Sequence, residues 1–134
     1  MNKYMLTDER IMIGSTPLYR IKALFSFSNV KEGEYGGYIQ SEDNLSQSGN
    51  AWVYGDAWVY GDADVYGNAK VYGEAKVSGN AEVYGNAEVY DNAKVYGNTG
   101  VSGNAKVYDN AKVYGNAEVS DNAEVSGDAW VCGD

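Results

Sequence analysis

Gly49-Asn50-Ala51-Trp52-Val53-Tyr54-Gly55-Asp56-Ala57-Trp58-Val59-Tyr60 opens a run in which one six-residue unit, Gly-Asn-Ala-x-Val-Tyr, is written fourteen times up to Cys132 without insertion or deletion. Val holds the fifth place in all fourteen units, from Val53 to Val131. Ala holds the third place in thirteen, with Thr99 the exception. Gly or Asp comes first, Asn, Asp or Glu second, and Tyr, Ser or Cys last. A period this short, sustained over 84 of 134 residues, marks a solenoid rather than a globular domain.

Side-chain alternation gives the unit its shape. In extended chain the neighbours of Val point away from it, so x-Val-Tyr is a short strand with Val inside and both flanking residues outside. Gly-Asn makes the corner, because these residues tolerate positive φ. Ala beside the corner is small enough to turn inward. Each unit is one straight side of a coil.

An aliphatic residue followed four places on by a small one, every six residues, resembles the hexapeptide-repeat left-handed β-helices. The resemblance implies three units per eighteen-residue triangular coil. The expected fold is therefore all-β: a single-domain triangular left-handed parallel β-helix of about five coils over residues 49–134, with a small strand-rich cap and lead-in over 1–48. The surface departs from the family, which often places a small or acidic residue after the aliphatic one; here Tyr stands there in nine units. Gly36-Gly37-Tyr38-Ile39, followed by Asn44-Leu45-Ser46-Gln47 and an aromatic first repeat, is similar to a poorly characterised bacterial and phage group of such proteins. That group often carries a transferase label taken from its fold.

Within 1–48, Ile11 to Ile13 is a short apolar run, Gly14-Ser15-Thr16-Pro17 a turn, and Leu18 to Phe27 a second strand. Asp43 to Ser48 reads as a degenerate unit preceding the first repeat. Trp52 and Trp58 are expected under the cap. A Val and Ala core is narrow, so stability must come from coil-on-coil hydrogen bonding, with ends that need protection. No apolar run is long enough to span a membrane and the first ten residues lack a signal-peptide pattern, so a cytoplasmic place in a bacterial host is expected.

Charge is unevenly divided. Residues 1–48 carry five basic and six acidic side chains; residues 49–134 carry five lysines against thirteen carboxylates. With three units per coil, residues eighteen apart stack, and the fourth places form rows. The first side reads Trp52, Lys70, Glu88, Lys106, Glu124; the second Trp58, Lys76, Lys94, Lys112, Trp130; the third Asp64, Glu82, Gly100, Glu118. The corner between the first two sides holds one carboxylate per coil: Asp56, Glu74, Asp91, Asp109 and Asp128. Like charges at strand spacing repel, and Lys76, Lys94 and Lys112 stand close enough in sequence to offset them. Tyrosines at the last place form ladders, Tyr54 to Tyr108 being the longest.

Catalytic machinery is missing from the residue inventory. There is no histidine. The acyltransferases of the resembled family use a histidine base and its zinc enzymes three histidine ligands, and neither set can be carried onto this chain. Cys132 has no base partner, no Cys/His cluster offers a metal site, and the glycines fall one per corner rather than in a phosphate loop. A non-enzymatic protein with no cofactor and no metal is expected.

The acidic side chains Asp56, Glu74, Asp91, Asp109, Asp128, Asp64, Glu82 and Glu118 then form an interaction surface for a basic, nucleic-acid-binding protein partner, by analogy with phage-borne DNA mimics that inhibit restriction or CRISPR systems. The same charge repels nucleic acid and membranes. Trp130, Val131 and Cys132, in the last coil, are expected to join two copies into a homodimer. The alternatives are a self-assembling rod, a carbohydrate-binding surface on the tyrosine ladders, and a degenerate acyltransferase-like protein.

Overall fold

The computed structural model describes residues 2–133. From Trp52–Val53 onward the fourth and fifth places of each unit form a rung. Residues eighteen apart pair in parallel: Trp52 with Lys70, Trp58 with Lys76, Asp64 with Glu82. The rungs stack into three sheets, so three units close one coil and about five coils make a β-solenoid. Every Val from Val53 to Val125 lies inside at 8% exposure or less, each contributing about 1.5–3 kcal/mol by burial.

Two demands select the first corner place. Gly79 has φ 68°, and a Cβ there would come within 2.7 Å of the Gly97 nitrogen one coil on. Asp91, Asp109 and Asp121 occupy the equivalent place at φ 59°, 59° and 57°, because a short polar side chain tolerates the left-handed region.

Hydrogen bonds give the rod a direction. Trp52 N donates to Ala69 O (3.2 Å), Lys70 N to Ala87 O (3.0 Å) and Glu88 N to Ala105 O (3.0 Å), so the fourth-place amides, with those at the second and sixth places, donate to the coil that follows. Parallel pairing returns one bond per rung, from the Val amide to the fourth-place carbonyl of the coil before. The Gly, Ala and Val carbonyls of the first coil consequently face the cap and need donors. Tyr38 N and Gln40 N supply Ala57 O and Val59 O, and Ser46 N supplies Val65 O. Buried Asn44 gives its amide to Gly61 O and Ala63 O. Lys3 gives its ammonium to Ser48 O, Gly49 O and Ala51 O.

The cap is an antiparallel pair, β1 (Tyr4–Ile13) and β2 (Thr16–Ala23), turning at Gly14-Ser15, with β3 (Tyr35–Ile39) antiparallel to β2. β3 also runs parallel to Trp58–Val59, so the hairpin extends the second side of the solenoid into one sheet. Gly36 and Gly37 permit this: a Cβ on either would stand 2.5 Å from a carbonyl oxygen, of Val53 or of Ala57. The second strand stops at Ala23 rather than reaching Phe27, and Phe27 instead meets the buried Trp52 edge-on, with a centroid distance of 5.3 Å.

One expectation is corrected. In the unit preceding the first repeat, Leu45 stands over Val65 rather than over Ala63, an offset of twenty residues shared by Ile39 and Val59. Two extra residues therefore lie between Leu45 and Val53, and β3 and Leu45 are already the rungs that precede Gly49. Both tryptophans expected under the cap stand against it, Trp52 beside Tyr4 and Phe27 and Trp58 paired with Tyr38 of β3, but only Trp52 is fully buried. Trp58 points outward at the fourth place, half-buried, with the Lys76 ammonium 4.6 Å from its ring centroid.

Candidate interaction surface

The corner between the first and second sides brings the acidic residues together as the eighteen-residue period requires. Glu74, Asp91, Asp109 and Asp128, with Asn92 and Asn110, line one open groove of about 520 Å³. Asp56 stands at its cap end and accepts Arg20 Nη2 at 3.2 Å. Arg20 is held from the other side by Glu9 (3.0 Å) and lies over the Tyr38 ring. Among the described residues these are the only ion pairs, so Lys76, Lys94 and Lys112 do not pair with the ridge. Lys76 and Lys112 lie instead over Trp58 and Trp130.

The other two corners, apart from Asp62 and Asp121, show the neutral alternative. Asn80 donates to Asn98 and Asn98 to Asn116 (2.9 and 3.2 Å), while Asn86 donates to Asn104 and Asn104 to Asn122 (3.3 and 3.2 Å). At the acidic corner, Asp91 Oδ2 accepts the Asp109 amide (3.2 Å) and Asp109 Oδ2 the Gly127 amide (3.0 Å). An asparagine oxygen accepts such a bond equally well, so this local role does not call for charge.

The third side is also acidic. Asp64 is partly buried, and its carboxyl is pushed above the ordinary range first by burial, then by Glu82 and Asp43. Sequence reasoning missed Asp43 here, because the two-residue offset hides which side it joins. Glu82 accepts the Tyr66 hydroxyl at 3.1 Å. Glu118 is exposed, and between it and Glu82 the row is interrupted at Gly100.

Tyrosine rings stack face to face in Tyr72–Tyr90 (4.8 Å), Tyr90–Tyr108 (5.0 Å), Tyr66–Tyr84 (4.9 Å) and Tyr96–Tyr114 (5.3 Å). Tyr54 breaks the pattern, meeting Tyr72 edge-on while its hydroxyl donates to Asn29 of the cap. Tyr72 and Tyr108 donate to Glu88 and Glu124 of the next coil. Trp130 is 66% exposed, Val131 partly buried and Cys132 an exposed free thiol.

Among the described residues, no group of three or more Asp, Glu or Cys side chains is placed to hold a metal ion, and no helix is long and apolar enough to cross a membrane. No protein-family model matches the chain, and no curated protein matches it.

Proposed function

We propose that this chain is a non-catalytic interaction module whose line of carboxylates binds a basic, nucleic-acid-binding protein in place of a phosphate backbone. The observation that carries the proposal is the ridge itself: one carboxylate in every coil at one corner, with Arg20 on Asp56 as the only ion pair it makes among the described residues, where the other two corners, apart from Asp62 and Asp121, use neutral asparagine ladders. Coils repeat every ~4.8 Å, against ~3.4 Å between phosphates along one DNA strand. The ridge is thus a sparser line of negative charge on a stiff rod, and it attracts lysine and arginine surfaces over a similar range.

The test is capture from bacterial lysate with the wild-type chain and with a variant carrying Asp56→Asn, Glu74→Gln, Asp91→Asn, Asp109→Asn and Asp128→Asn. Asn suits the positive φ of the two middle positions, so the variant keeps the fold. The expected result is a nucleic-acid-binding protein retained by wild type alone and displaced by duplex DNA. Equal capture by both chains, or capture indifferent to DNA, overturns the proposal.

A further inference from the structure

β1 forms one edge of the eight-stranded sheet that runs from the cap down the second side of the solenoid. One side of it pairs with β2, and the other meets no strand among the described residues. The hairpin tip is the barest part. β3 pairs with Tyr19, Arg20 and Lys22 of β2, so residues 11–13 and 16–18 form a two-stranded ribbon. Such a ribbon is marginal in water by itself.

A proline fixes which way the backbone of this edge faces. The register sets Ile11 against Leu18, Met12 against Pro17 and Ile13 against Thr16. Antiparallel partners alternate between pairs that exchange two hydrogen bonds and pairs that exchange none. Pro17 has no N–H to give, so Met12 and Pro17 are a pair of the second kind, and the Met12 N–H and C=O turn outward to the free edge. The side chains are apolar on both faces: Ile11 and Ile13 share one, and Met12, 56% exposed, takes the other. Edge strands are normally blunted by charge, proline or a bulge. The register shift between Leu6 and Arg10, with the charged Asp8, Glu9 and Arg10, does this for the first half of β1. Residues 11–13 carry no such device.

We propose that this free edge pairs with the same edge of a second copy of the chain, antiparallel about a two-fold axis at Met12. A two-fold interface has to be self-complementary, and Ile-Met-Ile is palindromic. The axis sets Ile11 of each copy against Ile13 of the other and Met12 against Met12, three apolar pairs with no like charges opposed. The two outward-facing Met12 backbones exchange their N–H and C=O groups. Charge also favours a second copy meeting here. Residues 1–48 carry five basic and six acidic side chains, whereas residues 49–134 carry thirteen carboxylates against five lysines. Pairing through β1 joins the nearly neutral caps and leaves the acidic solenoids at the two far ends of the combined sheet. The contact is small, so the dimer is weak and transient. It uses no residue of the acidic ridge, and therefore stands or falls apart from the basic-partner reading. It also lies at the opposite edge of the sheet from Trp130.

Sedimentation of the full chain over a series from micromolar to millimolar concentration reads the association. A monomer–dimer equilibrium is expected for wild type and for Met12→Leu, which keeps the apolar pair. Met12→Lys sets two ammonium groups against each other, and Met12→Pro removes the outward N–H. Each is expected to weaken the dimer about tenfold or more. Met12 is exposed and gives no backbone bond to β2, so both variants are expected to keep the wild-type circular dichroism. Cross-linking reads the register. In a Cys132→Ser background, which removes the free thiol, Met12→Cys places two thiols on paired residues with Cα atoms about 5.5 Å apart, within disulfide reach. Met5→Cys, on the same strand, has no such partner. Fast oxidation to a dimer is expected for the first and slow oxidation for the second. A monomer throughout the series, association undiminished by Met12→Lys, or equal cross-linking from the two positions overturns the proposal. A dimer lost in Trp130→Ser and kept in Met12→Lys moves the contact to the other edge of the sheet and overturns it as well.

Discussion

Lys3 has three ammonium hydrogens, and its Nζ lies within hydrogen-bond range of three carbonyls at the open face of the first coil: Ala51 at 2.7 Å, Gly49 at 3.3 Å and Ser48 at 3.5 Å. Lys3→Met leaves these carbonyls without that donor and is expected to cost about 2–3 kcal/mol in denaturant unfolding. Burial lowers the Lys3 pKa from its ordinary 10.5 to about 8. Between those values the unfolded chain holds the proton more often than the folded one, so the Lys3 contribution to stability rises with pH across that window. The advantage of wild type over Lys3→Met should therefore widen from pH 8 to 10.5, read from melts of both chains. A constant gap counts against the assignment. Asp109 makes the opposite kind of residue-scale case, since its φ of 59° and its bond to the Gly127 amide are both legible from the structure. Asp109→Ala is expected to cost about 1–2 kcal/mol through the left-handed backbone alone, while Asp109→Asn is expected to be tolerated.

The tyrosine ladders are elements in their own right, each stacked pair worth about 0.5–1.5 kcal/mol beyond the area it buries. Burial, the hydrogen bond to Glu82 and the Glu82 charge push the Tyr66 hydroxyl up to about 12. Burial and Glu88 push Tyr72 up as well. A group raised in the folded state stabilises it fully below its unfolded pKa and loses that contribution as pH climbs through the folded one. For Tyr66 the window runs from pH 10.0 to about 12. Thermal midpoints should fall across that window, and tyrosinate absorbance should show Tyr66 titrating late. Tyr66→Phe should flatten part of the fall; a fall of undiminished size in that variant rules out the ladder as its source. The ladder rows were legible once an eighteen-residue coil was assumed. The edge-on break at Tyr54 was not, because it depends on Asn29, a cap residue whose position no repeat dictates.

At the scale of the whole molecule the formal net charge is −9, and the ridge concentrates like charge along one corner. Salt screens such repulsion over about 8–10 Å at ordinary ionic strength. The thermal midpoint should therefore rise with added sodium chloride, and the five-position ridge variant should show a smaller rise. A midpoint that falls with salt would mean that ion pairs outweigh repulsion, contrary to a structure in which Arg20 alone forms them among the described residues.

The repeat by itself determined the rung. Val every sixth residue, Ala four places after it and a corner residue tolerant of positive φ turn one face of each unit inward, so the rung could be read directly. Three units per coil, and with them the composition of each row, came from the resemblance to hexapeptide-repeat β-helices, and the pairing of residues eighteen apart decided it. Stacking at a fixed period is a local rule applied many times. What lies outside the period was decided by tertiary structure alone. The direction of the coil hydrogen bonds leaves acceptors at the cap end, and Lys3 and Asn44 meet them from positions that no spacing relates to the repeat. The two-residue offset at Leu45 follows from the same cap, although the six-residue step from Ile39 to Leu45 was its one visible sign. The lysines beside the ridge have the right sequence distance to neutralise it, yet Lys76 and Lys112 lie over indole rings. Proximity in sequence gives a side chain several partners within reach, and only packing selects among them.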